Sequence, residues 1–106
     1  MLLLETEAIS TPELPLTLFQ NHPNPFNPAT TISYYLPEAT QVTLGIYDLA
    51  GRLVNRLVDR EMKPKGMHQI EWKGLDNYGR AVASGVYFYR LQTGRETISR
   101  KIVLLK

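Results

Sequence analysis

No cysteine occurs anywhere in the sequence, which excludes both a disulfide framework and a thiolate metal site. Long apolar runs are missing too: nothing approaches the roughly 18 residues of a membrane helix, so no transmembrane segment is expected. Charge of one sign is not in surplus. Twelve Lys and Arg against ten Asp and Glu leave a net +2, too little for the basic footprint of a nucleic-acid binder. The two histidines, His22 and His68, stand far apart, and without cysteine they offer no zinc spacing. The motifs of catalysis are absent as well: no nucleophile elbow, no phosphate-cradling glycine loop and no HExxH. Carboxylates Asp48, Asp59, Glu71 and Asp76 are scattered, with no spacing that forces a pair together. Asp76-Asn77-Tyr78-Gly79 lacks the ligand spacing of a calcium loop and reads as a polar turn. The expectation is a protein without enzyme activity and without a cofactor. Met1-Leu2-Leu3-Leu4-Glu5 has neither the basic start nor the apolar length of a signal peptide, so no export signal is expected in the chain as given.

What the sequence does contain is strand. The strongest β pattern covers residues 84–92, with aromatic and β-branched residues in succession behind Gly85 and Thr93-Gly94 after it. Alternation puts Tyr87, Tyr89 and Leu91 on one face and Val86, Phe88, Arg90 and Gln92 on the other. The first face is apolar throughout and is expected to be the core face of a central strand. Residues 31–36 alternate with Ile32, Tyr34 and Leu36 inward, and residues 41–47 with Val42, Leu44 and Ile46 inward. Asp48-Leu49-Ala50-Gly51 has turn chemistry and predicts a hairpin into a strand over 52–59. Lys63-Pro64-Lys65-Gly66 is the next turn. Residues 68–72 place Ile70 and Trp72 inward with His68 at the core edge, 74–80 form a polar turn, and 97–105 form the last strand. About seven short strands without a convincing helix predict an all-β fold, an immunoglobulin-like antiparallel β-sandwich. Its expected core includes Ile32, Tyr34, Leu44, Ile46, Ile70, Trp72, Tyr87, Tyr89 and Leu91.

Residues 1–16 read as a linker or the tail of a preceding region, and residues 17–106 as the domain. Within the domain, Asn21-His22-Pro23-Asn24-Pro25-Phe26-Asn27-Pro28 forbids helix and denies three ladder donors, so it must be a rigid loop. Phe26, its one large apolar residue, is expected to plug an end of the core. The loop has a second reading, as a recognition surface. The last strand has one also: an edge strand with a free end can be captured by strand addition, and Arg100, Lys101 and Lys106 would favour an acidic partner. Against that, Ile102 and Leu104 could simply complete the sandwich. Tyr35, Tyr47 and Phe88 fall on outward faces, where aromatics can stack on sugar rings or stabilise cross-strand pairs.

The run Leu18-Phe19-Gln20-Asn21-His22-Pro23-Asn24-Pro25-Phe26-Asn27-Pro28-Ala29-Thr30-Thr31-Ile32 resembles the opening of the type A C-terminal sorting domains of the type IX secretion system. That family shades into the immunoglobulin-like domain of the flagellar hook-capping protein. Further similar pieces follow in order: Ile46-Tyr47-Asp48-Leu49-Ala50-Gly51-Arg52, Trp72-Lys73-Gly74, Gly79-Arg80, Ala83 to Leu91, and the ending Arg100-Lys101-Ile102-Val103-Leu104-Leu105-Lys106. The resemblance implies a non-catalytic sorting domain that directs a covalently linked N-terminal cargo across the outer membrane. Its implied partners are an outer-membrane translocon and a sortase-like enzyme, and its implied destination is the medium or the cell surface, by way of the periplasm. On this resemblance Asn24, Pro25, Phe26, Asn27 and Pro28, with Arg100, Lys101, Ile102, Val103, Leu104, Leu105 and Lys106, are the expected recognition residues. A structural assembly module and a glycan-binding module are the alternatives.

Overall fold

The computed structural model describes residues 14–106, and every described element is a strand. The N-terminal residues read above as linker lie outside the described part, apart from Leu14, Pro15 and Leu16. Seven strands run in order: β1 (Thr17–Leu18), β2 (Thr30–Leu36), β3 (Thr40–Tyr47), β4 (Leu53–Lys63), β5 (Gly66–Trp72), β6 (Gly85–Gln92) and β7 (Thr97–Leu104). They form two antiparallel sheets, ordered β1-β2-β5 and β4-β3-β6-β7. This is the all-β, immunoglobulin-like sandwich that the alternation predicts.

Period-2 patterning fixes the core. Ile32, Tyr34 and Leu36 from β2 face Val42, Leu44 and Ile46 from β3 and Tyr87, Tyr89 and Leu91 from β6, all of them buried. Trp72 fills the centre, 1% exposed, with Phe26 at 5.3 Å and Tyr87 edge-on at 5.7 Å. Tyr87 donates its hydroxyl to Ala83 O at 2.6 Å, four residues upstream. That bond ties the start of β6 in the manner of the tyrosine corner of immunoglobulin sandwiches.

Three expectations need correction. Ile70 is only partly buried, because β5 is the outer strand of its sheet and alternation alone does not register an edge. The fourth strand does not end at Asp59. It runs on to Lys63 through register shifts against β3, with Arg60 in the left-handed region at φ 49°. The fifth strand begins at Gly66 rather than at His68, since Gly66 already pairs with Leu36.

Candidate functional site: the Asn-Pro loop and the terminal strand

The two segments read separately as recognition elements are joined in the structure. β7 is the outer strand of the four-stranded sheet, paired on one side with β6 from Gly85↔Leu104 to Gln92↔Thr97. Its other side meets the Asn-Pro loop. Phe26 donates its N–H to Val103 O at 3.0 Å and accepts from Leu105 N at 3.1 Å, a parallel bridge opposite Leu104. Val103 donates its N–H to Asn24 Oδ1 at 3.0 Å, and Lys101 O accepts from Gln20 Nε2 at 3.0 Å. Four successive outward backbone groups of the strand are thereby satisfied by one loop. From Lys101 O to Leu105 N the last strand is thus not the open edge expected from its sequence.

The loop is itself held from within. All three of its Xaa-Pro bonds are cis. Asn21, 2% exposed, donates its N–H to the Tyr89 hydroxyl at 2.9 Å, and that hydroxyl donates to Phe19 O at 2.7 Å. Burial pushes the Tyr89 phenol up, against the smaller downward pull of the Asn21 N–H and the Arg100 charge. The Asn21 amide spans Pro23 O at 3.0 Å and Thr30 Oγ1 at 2.9 Å, and Thr30 Oγ1 donates to Pro23 O at 2.8 Å. Two buried polar side chains therefore close the loop with their bonding capacity used inside it. Neither Asn21 nor Thr30 is among the recognition residues expected from the sequence; an asparagine two residues before a proline signals such a closure.

The expected recognition residues divide by burial. Phe26, Ile102 and Leu104 are core side chains, 2%, 0% and 1% exposed. Asn24, Pro25, Asn27, Pro28, Arg100, Lys101, Leu105 and Lys106 are on the surface, and Val103 is intermediate. Arg100 Nε donates to Leu18 O, tying β7 to β1 of the opposite sheet. Lys106 N donates to Ser84 Oγ at 3.0 Å. What presents outward is thus a polar and basic rim over an apolar plug. Of the outward aromatics, Tyr47 has one ring face taken, because the Arg90 guanidinium lies 4.0 Å from its centroid. Among the described residues no group of three or more His, Cys, Asp or Glu could hold a metal ion, and no helix is long and apolar enough to cross a membrane.

A repeated turn escaped the reading of the sequence. Asp48-Leu49-Ala50-Gly51-Arg52 and Asp76-Asn77-Tyr78-Gly79-Arg80 share an Asp-x-x-Gly-Arg pattern and fold alike. In each, the aspartate Oδ1 accepts two backbone N–H bonds at 2.9 Å, and its Oδ2 meets the arginine Nε at 3.2 and 3.1 Å. Those bonds, led by the arginine backbone N–H, hold both carboxyls below the ordinary aspartate range.

Comparison with known proteins places this geometry. The family model for the FlgD Ig-like domain matches residues 26–96. Among solved structures, the chain is similar to dimeric latent PorU from Porphyromonas gingivalis, with TM-score 0.70 and 23% identity, over 91% of this chain and 10% of that one. PorZ of the same organism, described as an essential bacterial surface component of the type IX secretion system, aligns with TM-score 0.56 and 19% identity, over 84% of this chain and 11% of that one. FlgD of P. aeruginosa aligns with TM-score 0.56 and 26% identity, over 72% of this chain and 60% of that one. The chain therefore spans about a tenth of PorU and PorZ, and at these identities those two likenesses show the fold alone. No curated protein sequence matches it.

Proposed function

Because the chain belongs to the FlgD Ig-like domain family, we propose that it works as a non-catalytic recognition domain, specifically a type A C-terminal sorting domain of type IX secretion. On this reading it directs an N-terminally linked cargo through the outer membrane, to the medium or cell surface, and is recognised by a translocon and a sortase-like enzyme. The observation that carries the proposal is the bridge between Phe26 and Leu104. It joins the first and last of the segments that resemble sorting domains into one unit. Fold likeness to PorZ, a type IX component by description, supports the same direction.

A structural assembly module is the second reading, favoured by the family match and by the likeness to FlgD. The glycan-binding alternative is weakened at Tyr47, where Arg90 occupies one face of the ring.

Export tests the proposal. A periplasm-targeted fluorescent protein is fused ahead of residues 16–106 in a bacterium with a type IX system. Deleting residues 101–106 would remove Ile102 and Leu104 from the core, so unfolding would confound the result. The informative variant instead changes exposed residues only: Lys101→Glu with Leu105→Ser and Lys106→Glu. Export of the parent fusion and periplasmic retention of the folded variant are the expected results. A parent fusion that stays folded in the periplasm would overturn the sorting reading in favour of the assembly module.

A further inference from the structure

The outer face of the β4-β3-β6-β7 sheet, turned away from the core, carries an unusual combination of groups. Register aligns Leu53, Tyr47, Phe88 and Lys101 in one cross-strand row and Gly45, Arg90 and Ser99 in the next. The Tyr47 ring folds back over Gly45, where an added Cβ would lie 3.1 Å from Cε1 and 3.2 Å from the hydroxyl. Arg90 lies on top of that ring, and its Nε is buried with no hydrogen-bond partner. Beside them, a cleft of about 350 Å³ opens between the Leu49 turn, Phe88 and Ser99. Its walls expose apolar surface: Leu49 is 71% and Phe88 37% exposed.

Charge decides what fits there. Arg52, Arg56, Arg60, Lys63, Lys73, Arg80 and Arg95 each have a carboxylate within 4.0 Å. Arg90, Arg100, Lys101 and Lys106 have no such ion pair among the described residues, and all four lie on β6, on β7 or just beyond it. The one carboxylate at the cleft, Asp48, is already engaged by its own turn and by Arg52. Of the four, Arg90 and Lys101 stand in the outer rows with Phe88, whereas Arg100 reaches back to Leu18 O of the opposite sheet, so the unpaired positive charge on the face that also exposes apolar side chains is that of Arg90 and Lys101.

We propose that this face docks an extended peptide segment that is both acidic and apolar. A carboxylate of the segment pairs with Arg90 and Lys101, and an apolar side chain enters the cleft between Leu49 and Phe88. Drawing the guanidinium off the Tyr47 ring exchanges a cation–π contact for charge-assisted hydrogen bonds and gives the orphaned Nε an acceptor. A second copy of the chain is a poor occupant, since a two-fold axis here would set Arg90 and Lys101 against their own counterparts. The proposal stands on these observations independently of the sorting reading.

The test uses the chain labelled with ¹⁵N and the probe peptide acetyl-Leu-Glu-Phe-Asp-amide, with acetyl-Leu-Gln-Phe-Asn-amide as its neutral counterpart. Amide shifts confined to Tyr47, Leu49, Phe88, Arg90, Ser99 and Lys101 are expected with the acidic peptide, and binding about tenfold weaker with the neutral one. Arg90→Gln should weaken the acidic peptide about tenfold while leaving the rest of the spectrum native. Lys101→Gln, at an exposed position, gives the same comparison if Arg90→Gln disturbs the sheet. Equal binding of both peptides, scattered shifts, or no shifts at millimolar peptide would overturn the proposal. So would perturbation of the same residues by an oligosaccharide but not by the peptide, which would make the face a glycan site. Dilution-dependent shifts there without any peptide would assign it to self-association and overturn it equally.

Discussion

The two Asp-x-x-Gly-Arg turns have the same local chemistry and different surroundings. In both, the aspartate closes the turn from inside, with Gly51 at φ 81° and Gly79 at φ 78° supplying the left-handed step. The residue after the aspartate is Leu49 in the first turn and Asn77 in the second. Asn77 donates its N–H to Val54 O at 3.1 Å and accepts from Arg56 N at 2.9 Å. Asn55 Nδ2 and Trp72 Nε1 both donate to Leu75 O, at 2.8 and 2.9 Å, one residue before the turn. The second turn is therefore fastened to the outer edge of β4 and to the central tryptophan. Among the described residues the first has no such hydrogen-bonded neighbour, and it projects Leu49 into solvent. Local sequence dictates the turn, and one side chain within it decides whether the turn closes the fold or is presented to a partner.

The strongest way to break the second turn's role is through its anchor. Trp72→Ala empties the centre of the core and removes the donor to Leu75 O, and should cost about 3–5 kcal/mol. Against the roughly 5–15 kcal/mol of a domain this size, that leaves a chain close to unfolding, as a urea titration would read directly. Loss of less than about 1 kcal/mol would mean the indole is not the anchor described. The next effect separates turn from docking. Both aspartates have folded pKa values below their ordinary 3.8. Their contribution is therefore present above pH 3.8 and is lost as pH falls through the lower folded values. Asp48→Asn and Asp76→Asn should each flatten the acid limb of stability by similar amounts. At neutral pH, however, Asp76→Asn should lower Tm more, because its turn also holds β4 and Trp72. Equal neutral-pH losses would remove the distinction between the turns.

How much of this was legible in the sequence follows from the range of each interaction. Alternation along single strands identified the buried faces of β2, β3 and β6, because period 2 is a local property. Phe26 was legible as a plug, since a lone large apolar residue in a proline-rich loop has few other uses. Its bridge to Leu104 was not, because it pairs backbone groups across most of the chain and backbone carries no sequence signal. Nor was the passage of β4 through Arg60, where a residue with no preference for positive φ takes it up at a bulge. The fastening of one turn and the freedom of the other were visible in principle, in the repeated Asp-x-x-Gly-Arg and the exchange of Leu for Asn inside it.

That exchange can be made in both directions. Asn77→Leu removes the acceptor for the Arg56 N–H, a bond at the solvent-exposed sheet edge that water can partly replace, and should cost about 1 kcal/mol in chemical denaturation. The reverse change is the smaller and the more telling. Leu49→Asn places in the projecting turn the residue that fastens the other. The hydrogen bonds of this turn all close within residues 48–52, with no outside group already engaged for the new amide to join, and the leucine it replaces is already 71% exposed. Stability should change by less than about 0.5 kcal/mol, while affinity of the acidic probe peptide for the adjacent cleft falls as an apolar wall is lost. A substantial loss of stability would show that Leu49 packs against its own domain, and the two turns would then differ in partner rather than in being fastened or free.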